Sequence, residues 1–359
     1  MIVDNGEQNM NSTINFNKHK LKNSNSKKNL KLKPLAILDN NYYLIKKLGK
    51  GSTSSVFLGF SPKDPNHKLY SFKLIKPSTI NETLFKKEVS ILSNLNHKNI
   101  LQIYESGESI IKKSNKEEKK VYYIIEEFMQ YGELLNYIYL TNGFGENYGR
   151  IIFSSLLDAI EYLHNNNIVH RDIKADNIMI NSNLEIKLVD FGFATNSLKN
   201  NNLIDLENNN EKGKLNTFLG TPNYAAPELH LKIPYYGKSN DIFSLGVTLF
   251  IIVTGTLPFK LPLPNDPLYQ FIFKNDYIGF WIKRKLNLSQ SFMELFESLV
   301  AFDYSQRPTI SEIRNCQWMK EINLNLIDSL KDEIKKRFCF IKNKEKKCNG
   351  IIKEGNVYK

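Results

Sequence analysis

Asp172, Asn177 and Asp190 stand close together in the chain, in VHRDIKADNIMI (169–180) and IKLVDFGFA (186–194), each beside an apolar run of strand character. Polar side chains in such settings need partners. Two carboxylates and an amide that converge at strand ends suit a hard cation and a proton transfer. Upstream, LGKGSTSSVFLG (48–59) places Gly49 and Gly51 between two strand-like stretches, where glycines let backbone N–H groups approach phosphate oxygens. A strand follows it rather than a helix, unlike a dinucleotide fingerprint, and a plain hairpin would also carry glycines. YSFK (70–73) then ends an apolar strand on Lys73, with Glu88 on the next helix as its counter-charge. Lysines on strand edges are common, so that pair has a bland reading as well.

The elements that must position these groups change character along the chain. Residues 42–48, 56–60, 70–75, 101–105 and 121–126 alternate β-branched or aromatic residues between turn clusters and read as strands. One helix interrupts them in LFKKEVSILSNL, where Phe85, Val89, Leu92 and Leu95 recur at helical spacing. From Leu134 the period becomes 3.6: Ile152, Phe153, Leu156, Leu157, Ile160 and Leu163 line one helix face. A small sheet-rich lobe thus precedes a larger helical one, with QYGE (130–133) as the hinge, and no internal repeat is found. The expected class is α+β.

Composition narrows the function. The 359 residues carry 41% hydrophobic and 24% charged side chains, a globular balance, and three cysteines are too few for a disulfide framework, which favours a reducing compartment. The net charge of +12 sits at the ends. Residues 1–33 hold seven lysines against Asp4 and Glu7, and residues 331–359 hold ten basic against four acidic side chains. The body is nearly neutral and arginine is scarce, so dedicated nucleic-acid binding is not expected. No signal peptide is recognisable, and the apolar stretch 244–259 is too short to span a membrane. Residues 1–41 and the insert NNNLIDLENNN (200–210) are rich in polar residues and are expected to be disordered.

Taken in order, GKGSTSSV, the strand lysine, HRDIKADN, DFG, GTPNYAAPE, DIFSLG and QRP make the chain resemble a eukaryotic-type protein serine/threonine kinase of the calmodulin-dependent and AMP-activated kinase-like group, over residues 42–320. The resemblance implies a two-lobed kinase fold, with an N-lobe at 42–128, a C-lobe at 133–320 and a basic tail at 321–359. It implies transfer of the ATP γ-phosphate to Ser/Thr hydroxyls of proteins, with Mg²⁺. By the same resemblance Leu48, Gly49, Lys50, Gly51, Ser52, Val56 and Ser71 enclose the nucleotide, with Glu127, Met129, Glu133 and Met179 at the hinge and floor. Lys73, held by Glu88, grips the α/β-phosphates. Asn177 and Asp190 hold Mg²⁺, Asp172 is the base, and Lys174 steadies the migrating charge. Lysine after HRD-Ile and the GTPNYAAPE segment point to serine/threonine rather than tyrosine.

The resemblance also implies regulation. Thr217, four residues before Thr221, is the expected phosphorylation site for an upstream kinase, with Arg171 as partner of the dianion; its bland reading is a solvated loop threonine. Glu228 with Arg307 and Asp241 with the HRD backbone are expected structural ties, and Leu92, Ile103, His170 and Phe191 are expected to stack between lobes. Glu133 and Asp176 suggest a substrate with an upstream basic residue, although a further acid of strongly arginine-directed relatives is Ile251 here. In the tail, Ile334, Phe338 and Ile341 share a helical face amid lysines, as in a calmodulin-target or autoinhibitory helix, or one that packs on its own domain. Localisation is expected in the cytoplasm, with the nucleus open.

Ser54, Ser71 and Phe243 depart mildly from the family pattern. Glu126 departs more, at the position gating the space behind adenine, where it could compete with Glu88 for Lys73. That residue is the best support for an alternative reading, a regulatory pseudokinase scaffold. A small-molecule kinase is disfavoured by GTPNYAAPE.

Overall fold

A computed structural model of the chain describes residues 34–51, 53–114, 117–197 and 214–355, with side chains through Lys344. Ser52, residues 1–33 and the insert at 200–210 lie outside the described residues.

Six strands close into a barrel in the order β1-β2-β3-β4-β6-β5. They are β1 (Ala36–Leu38), β2 (Tyr42–Lys50), β3 (Ser54–Phe60), β4 (Tyr70–Ile75), β5 (Ile103–Lys113) and β6 (Glu118–Glu127). Their period-2 pattern sorts side chains between two faces. Leu38, Leu44, Phe72, Leu74, Ile111, Tyr123 and Ile125 fill the barrel, while Ile75, Tyr122 and Ile124 turn to the helix α1 (Thr79–Leu92). Phe85 of that helix stacks on Tyr122 with ring centroids 5.1 Å apart. Ser78 starts α1 by accepting from Asn81 N at 3.2 Å, several residues earlier than the apolar repeat alone suggests.

Two boundaries differ from expectation. β1 lies inside the stretch expected to be disordered, because Ala36 and Leu38 are apolar and pair with both β2 and β5 to close the barrel. The strand expected at 101–105 begins at Ile103 and runs on to Lys113. Leu101 instead donates its N–H to Leu188 O at 3.0 Å, stitching the two lobes together.

The chain leaves β6, crosses at residues 128–131 and enters the large lobe through β7 (Gly132–Glu133) and α2 (Leu134–Thr141). The helix α3 (Gly145–Asn165) follows. After it come short strands β8 (Ile168–Val169), β9 (Ile178–Ile180), β10 (Ile186–Leu188), β11 (Thr195–Asn196), β12 (Lys214–Leu215) and β13 (Tyr235–Tyr236), with α4 (Pro227–His230) between the last two. β7, β9 and β10 form one antiparallel sheet under the crossing.

α5 (Gly237–Thr254) is the central helix and is buried nearly throughout, so the apolar stretch at 244–259 belongs to a core. Its polar residues are satisfied: Ser244 Oγ donates to Tyr224 O at 2.8 Å and Thr248 Oγ1 to Ser244 O at 2.8 Å. Gly246 lets it approach α8 (Gln290–Leu299), since a Cβ there would sit 2.6 Å from Leu299 Cβ. The lobe is completed by α6 (Tyr269–Phe273), α7 (Tyr277–Arg284), α9 (Ile310–Asn315), α10 (Gln317–Lys320) and α11 (Ile327–Gly355). Among the described residues, no helix is long and apolar enough to cross a membrane.

The tail expected from residue 321 is in large part this last helix, and it is built onto the large lobe. Leu330 and Ile334 are buried, and the Phe338 ring meets Tyr131 at 4.9 Å. The apolar face that looked suited to a partner is therefore turned onto the chain's own hinge and α2.

Candidate active site

The sheet register builds the roof of the cleft. Gly49 pairs with Val56, Val56 with Lys73, Leu58 with Ser71, and Ser71 in turn with Glu126. Residues directly opposite in antiparallel strands share a face, so Val56, Ser71, Lys73 and Glu126 all look into the cleft. The glycine loop turns over them: Gly51 N donates to Ser54 O at 2.9 Å, and nothing lies within 4 Å of where a Gly49 Cβ would stand. Leu48 and Lys50 are exposed on the same hairpin.

Lys73 Nζ lies 2.6 Å from Glu88 Oε1, which is the expected pair formed. Burial works against the ammonium, yet the carboxylates of Glu88, Glu126 and Asp190 outweigh it and raise the Lys73 pKa. Glu126 makes no ion pair with Lys73, so the competition with Glu88 foreseen from the sequence is decided for Glu88. Burial raises the Glu126 carboxyl to about 7, although Lys73 pulls the other way.

The crossing segment is fixed from below. Gly132 N donates to Met129 O at 3.1 Å and Tyr131 N to Ile180 O at 3.1 Å, and Glu133 pairs with Met179 in the short sheet. Met129 is buried and Met179 half-buried. Glu127, by contrast, turns its carboxylate away from the cleft. Its Oε1 accepts from Asn181 Nδ2 at 2.7 Å, and the Lys187 ammonium stands 3.0 Å from Oε2, off the hydrogen-bonding direction. Only the Glu127 backbone remains to face a ligand, and Glu127 N itself donates to Gln102 O. Lys187 was not singled out in the sequence. The signal was there, since IKLVD sets a lysine in an apolar strand just as YSFK does.

Asp172 lies across the cleft on the loop after β8. Its Oδ1 accepts from Thr221 N at 3.0 Å and Thr221 Oγ1 at 2.7 Å, and Oδ2 lies 2.8 Å from Lys174 Nζ. Asn177 Nδ2 donates to both Asp172 O at 2.8 Å and Oδ2 at 2.9 Å. Burial would raise the Asp172 pKa, but hydrogen bonds from Lys174 and Thr221 and the Lys174 charge hold it below the ordinary carboxylate value. Lys174 Nζ also donates to Thr221 Oγ1 at 2.7 Å.

This loop is held by a buried carboxylate. Asp241 accepts from His170 N at 2.9 Å, Arg171 N at 2.8 Å and the His164 ring at 3.0 Å, and so supports Arg171 at φ 67°. His170 faces Phe191 at 4.9 Å, and burial lowers its pKa so that it stays neutral, a scaffold residue rather than a base. Leu92 and Phe191 are buried in the same core, with Ile103 against it. Asp190 is exposed at φ 61°, and its Oδ1 accepts from Gly192 N at 3.3 Å. The activation segment is tied down at its end by Arg307, whose two terminal nitrogens each donate to one Glu228 oxygen at 2.9 Å. Arg171 Nη1 donates to Thr217 Oγ1 at 2.6 Å, and Tyr235 OH to Thr217 O at 3.0 Å.

The family model for the protein kinase domain matches residues 42–319, most of the chain. The chain belongs to the protein kinase family. It is 33% identical over 301 residues to a probable serine/threonine-protein kinase MARK-A of Dictyostelium discoideum, covering 81% of this chain and 26% of that protein. To the mouse serine/threonine-protein kinase SIK1 it is 33% identical over 289 residues, covering 78% and 32%. To chicken SIK2 it is 31% identical over 290 residues, again covering 78% and 32%. The chain thus spans about a quarter to a third of the length of these relatives. The roof carries Val56, Ser71 and Lys73, and the floor carries Asp172, Lys174 and Asn177.

Whether these residues suit a divalent ion can be judged from their donors. Among the described residues no group of three His, Cys, Asp or Glu could hold a metal. Asn177 and Asp190 carry side-chain oxygens of the kind a hard cation such as Mg²⁺ takes when its other ligands come from phosphate and water. The set fits.

Proposed function

We propose that this protein kinase transfers the γ-phosphate of ATP to serine or threonine hydroxyls of protein substrates. The observation that carries the reading is the Asp172 carboxylate, kept ionised and aimed by Lys174, Asn177 and Thr221 opposite the paired Lys73. Phosphoryl transfer asks for positioning and charge more than for covalent chemistry. Gly49, Gly51 and Val56 cover the nucleotide, Ser71 and Met179 flank the base, and the backbone of residues 127–129 offers it hydrogen-bonding groups. Lys73 binds the α/β-phosphates. Asn177 and Asp190 would hold Mg²⁺, which supplies charge neutralisation between the phosphates when bound.

Asp172 orients the substrate hydroxyl and accepts its proton as the new P–O bond forms, and Lys174 steadies the charge that moves onto the transferred group. Thr221 occupies both residues and would give way to the incoming hydroxyl. A basic residue upstream in the substrate would meet Glu133 and Asp176. Burial, and after it the Asp176 charge, raise the Glu133 pKa.

Thr217 is proposed as the activating phosphorylation site. Its hydroxyl already rests on Arg171, and Lys87 of α1 lies near enough for the Arg171 charge, added to burial, to lower its pKa. Two cations that repel one another await an anion. A calmodulin-type partner would have to draw Ile334, Phe338 and Ile341 off the large lobe. The reading is tested by transfer of radiolabel from ATP to a basic protein. Asp172→Asn should lose about 10²- to 10⁴-fold in kcat with ATP affinity kept; equal transfer by the two proteins would refute the role of Asp172, and no transfer by either would favour the scaffold.

A further inference from the structure

The helix α7 is packed on one side only. Phe280 is fully buried and the Trp281 ring stacks on Phe250 of α5, while Asp276 starts the helix by accepting from Gly279 N at 2.9 Å. On the opposite side Ile278 and Ile282 stand one turn apart, 76% and 70% exposed, and Lys285 continues their row past the last turn. Arg284 Nη2 donates to Thr256 Oγ1 at 2.6 Å, so the exposed Leu257 lies beside that end of the helix. Nothing internal calls for isoleucine in these places. A β-branched residue is a poorer helix former than lysine or glutamate, and out in water its apolar area stays unburied. Lys274, Lys283 and Lys285 are exposed around the pair, and none of the three makes an ion pair among the described residues. The acids of this corner are engaged, Asp276 on Gly279 N and Glu297 on Trp281 Nε1 at 2.5 Å.

Two exposed aliphatic side chains bordered by unpaired ammonium groups are the complement of an acidic amphipathic helix, apolar at i and i+4 with carboxylates alongside. We propose that α7 docks such a segment of a partner protein, Ile278 and Ile282 taking its apolar row and Lys274, Lys283 and Lys285 its carboxylates. This goes beyond phosphoryl transfer and does not depend on it. Charge argues against the other ways of covering the face. Residues 1–33 hold seven lysines against two acids, and residues 331–359 ten basic against four acidic side chains, so neither end suits a lysine-bordered surface. Two copies meeting through this face would set lysines against lysines. The insert at 200–210 does hold an acidic apolar run, LIDLE (203–207). Its downstream anchor is Lys214, paired with Tyr236 at the start of α5, whereas α7 packs at the other end of that helix. The 18 residues of α5 span about 27 Å, and the seven from Glu207 to Lys214 about 25 Å when fully extended, so the run would reach α7 only at full stretch.

The test measures binding of a dye-labelled synthetic helix to the full chain by fluorescence anisotropy. The probe is about 15 residues long, with leucine at i, i+4 and i+7 and glutamate between. A second peptide carries lysine for each glutamate, and a third serine for each leucine. The proteins are the native chain, Ile278→Ser with Ile282→Ser, Lys283→Glu with Lys285→Glu, and the chain lacking residues 200–210. All four substituted side chains are on the surface, so thermal melts and transfer to a short acceptor peptide should stay native, and either pair serves alone should the other not fold. The native chain should bind the glutamate peptide at about 10 μM, about tenfold or more better than the other two, and less well as salt rises. The isoleucine pair should lose about tenfold or more of that affinity. The lysine pair should exchange its preference and take the lysine peptide over the glutamate one. No binding, equal binding of the glutamate and lysine peptides, or native affinity in either folded variant would overturn the assignment. Binding seen only after removal of residues 200–210 would overturn it and make the insert the occupant. A dimer in sedimentation that Ile278→Ser with Ile282→Ser dissolves would overturn it in favour of a second copy.

Discussion

The two sides of the cleft are held in different ways. On the large-lobe side, Asp172 receives hydrogen bonds from Thr221 and Asn177 and an ion pair from Lys174, and the loop beneath it hangs on two backbone bonds to the buried Asp241, which the His164 ring of α3 also engages. The activation segment ends in a two-pronged Arg307–Glu228 pair. On the small-lobe side, Lys73 has one ion pair, to a residue on a helix whose remaining attachment to the sheet is mainly apolar. One side is over-determined, and the other depends on the position of a single helix. The difference predicts where damage appears as lost folding and where as lost turnover.

The largest effect should come from Glu228→Gln. It leaves the Arg307 guanidinium buried with a weakened partner, and breaking a buried pair costs about 3–5 kcal/mol. Chemical denaturation should show a large fall in stability of the large lobe. A loss under 1 kcal/mol would mean that the over-determination is only apparent.

Glu88→Gln should act the other way. Stability should change little, while kcat/KM for ATP falls about 10- to 100-fold, on the order of 1.4–2.7 kcal/mol of transition-state binding. Glu126 sharpens this case, because with Glu88 neutral it is the remaining carboxylate on the small lobe that can reach Lys73. Glu88→Gln combined with Glu126→Gln should therefore lose more than the two single losses added together. Additive losses would show that Lys73 does not turn to Glu126.

The third effect is one of pH. A carboxyl raised in the folded state binds protons more tightly there than in the unfolded chain, so stability falls as pH rises from about 4.5, the ordinary value, through about 7. Asp172, held low, has the opposite sign, its contribution being lost as pH falls below the ordinary carboxylate value. Glu126→Gln should therefore melt with the native protein near pH 4.5 and above it by several degrees at pH 8. A constant difference across that range would remove the assigned shift.

How much of this was legible follows the same division. The large-lobe residues proposed as catalytic announce themselves as polar side chains set between apolar strand ends, since such groups must be partnered to be tolerated. The Lys73–Glu88 pair was readable for the same reason. The part taken by Glu127 was not. Its place by the hinge suggested a ligand contact, but its carboxylate serves Asn181 and Lys187, and which way a residue faces at the end of a strand is decided by tertiary contacts. β1 was hidden because three apolar residues among lysines and asparagines carry no period of their own. They become a strand only when β2 and β5 offer two edges to bridge. The face of α11 was legible as apolar, but composition cannot say whether a partner or the chain's own lobe covers it.

The smallest predicted effect bears on that last point. Arg337 of α11 is buried, and its Nη1 donates to Gly143 O at 3.0 Å and, more weakly, to Tyr137 O at 3.5 Å. Its guanidinium lies 3.9 Å over the Phe144 ring and pairs with Glu333 at 2.8 Å. The carbonyls it serves close the C-terminal end of α2, the helix whose first turn follows Glu133. Arg337→Ala removes these donors but leaves space that water can enter, so the loss should be about 1–2 kcal/mol rather than that of a stranded charge. It should appear as faster amide exchange in residues 134–143, with the small-lobe strands unaffected. Exchange unchanged in α2 would mean that α11 merely lies on the large lobe, and its apolar face would then be available to a partner after all.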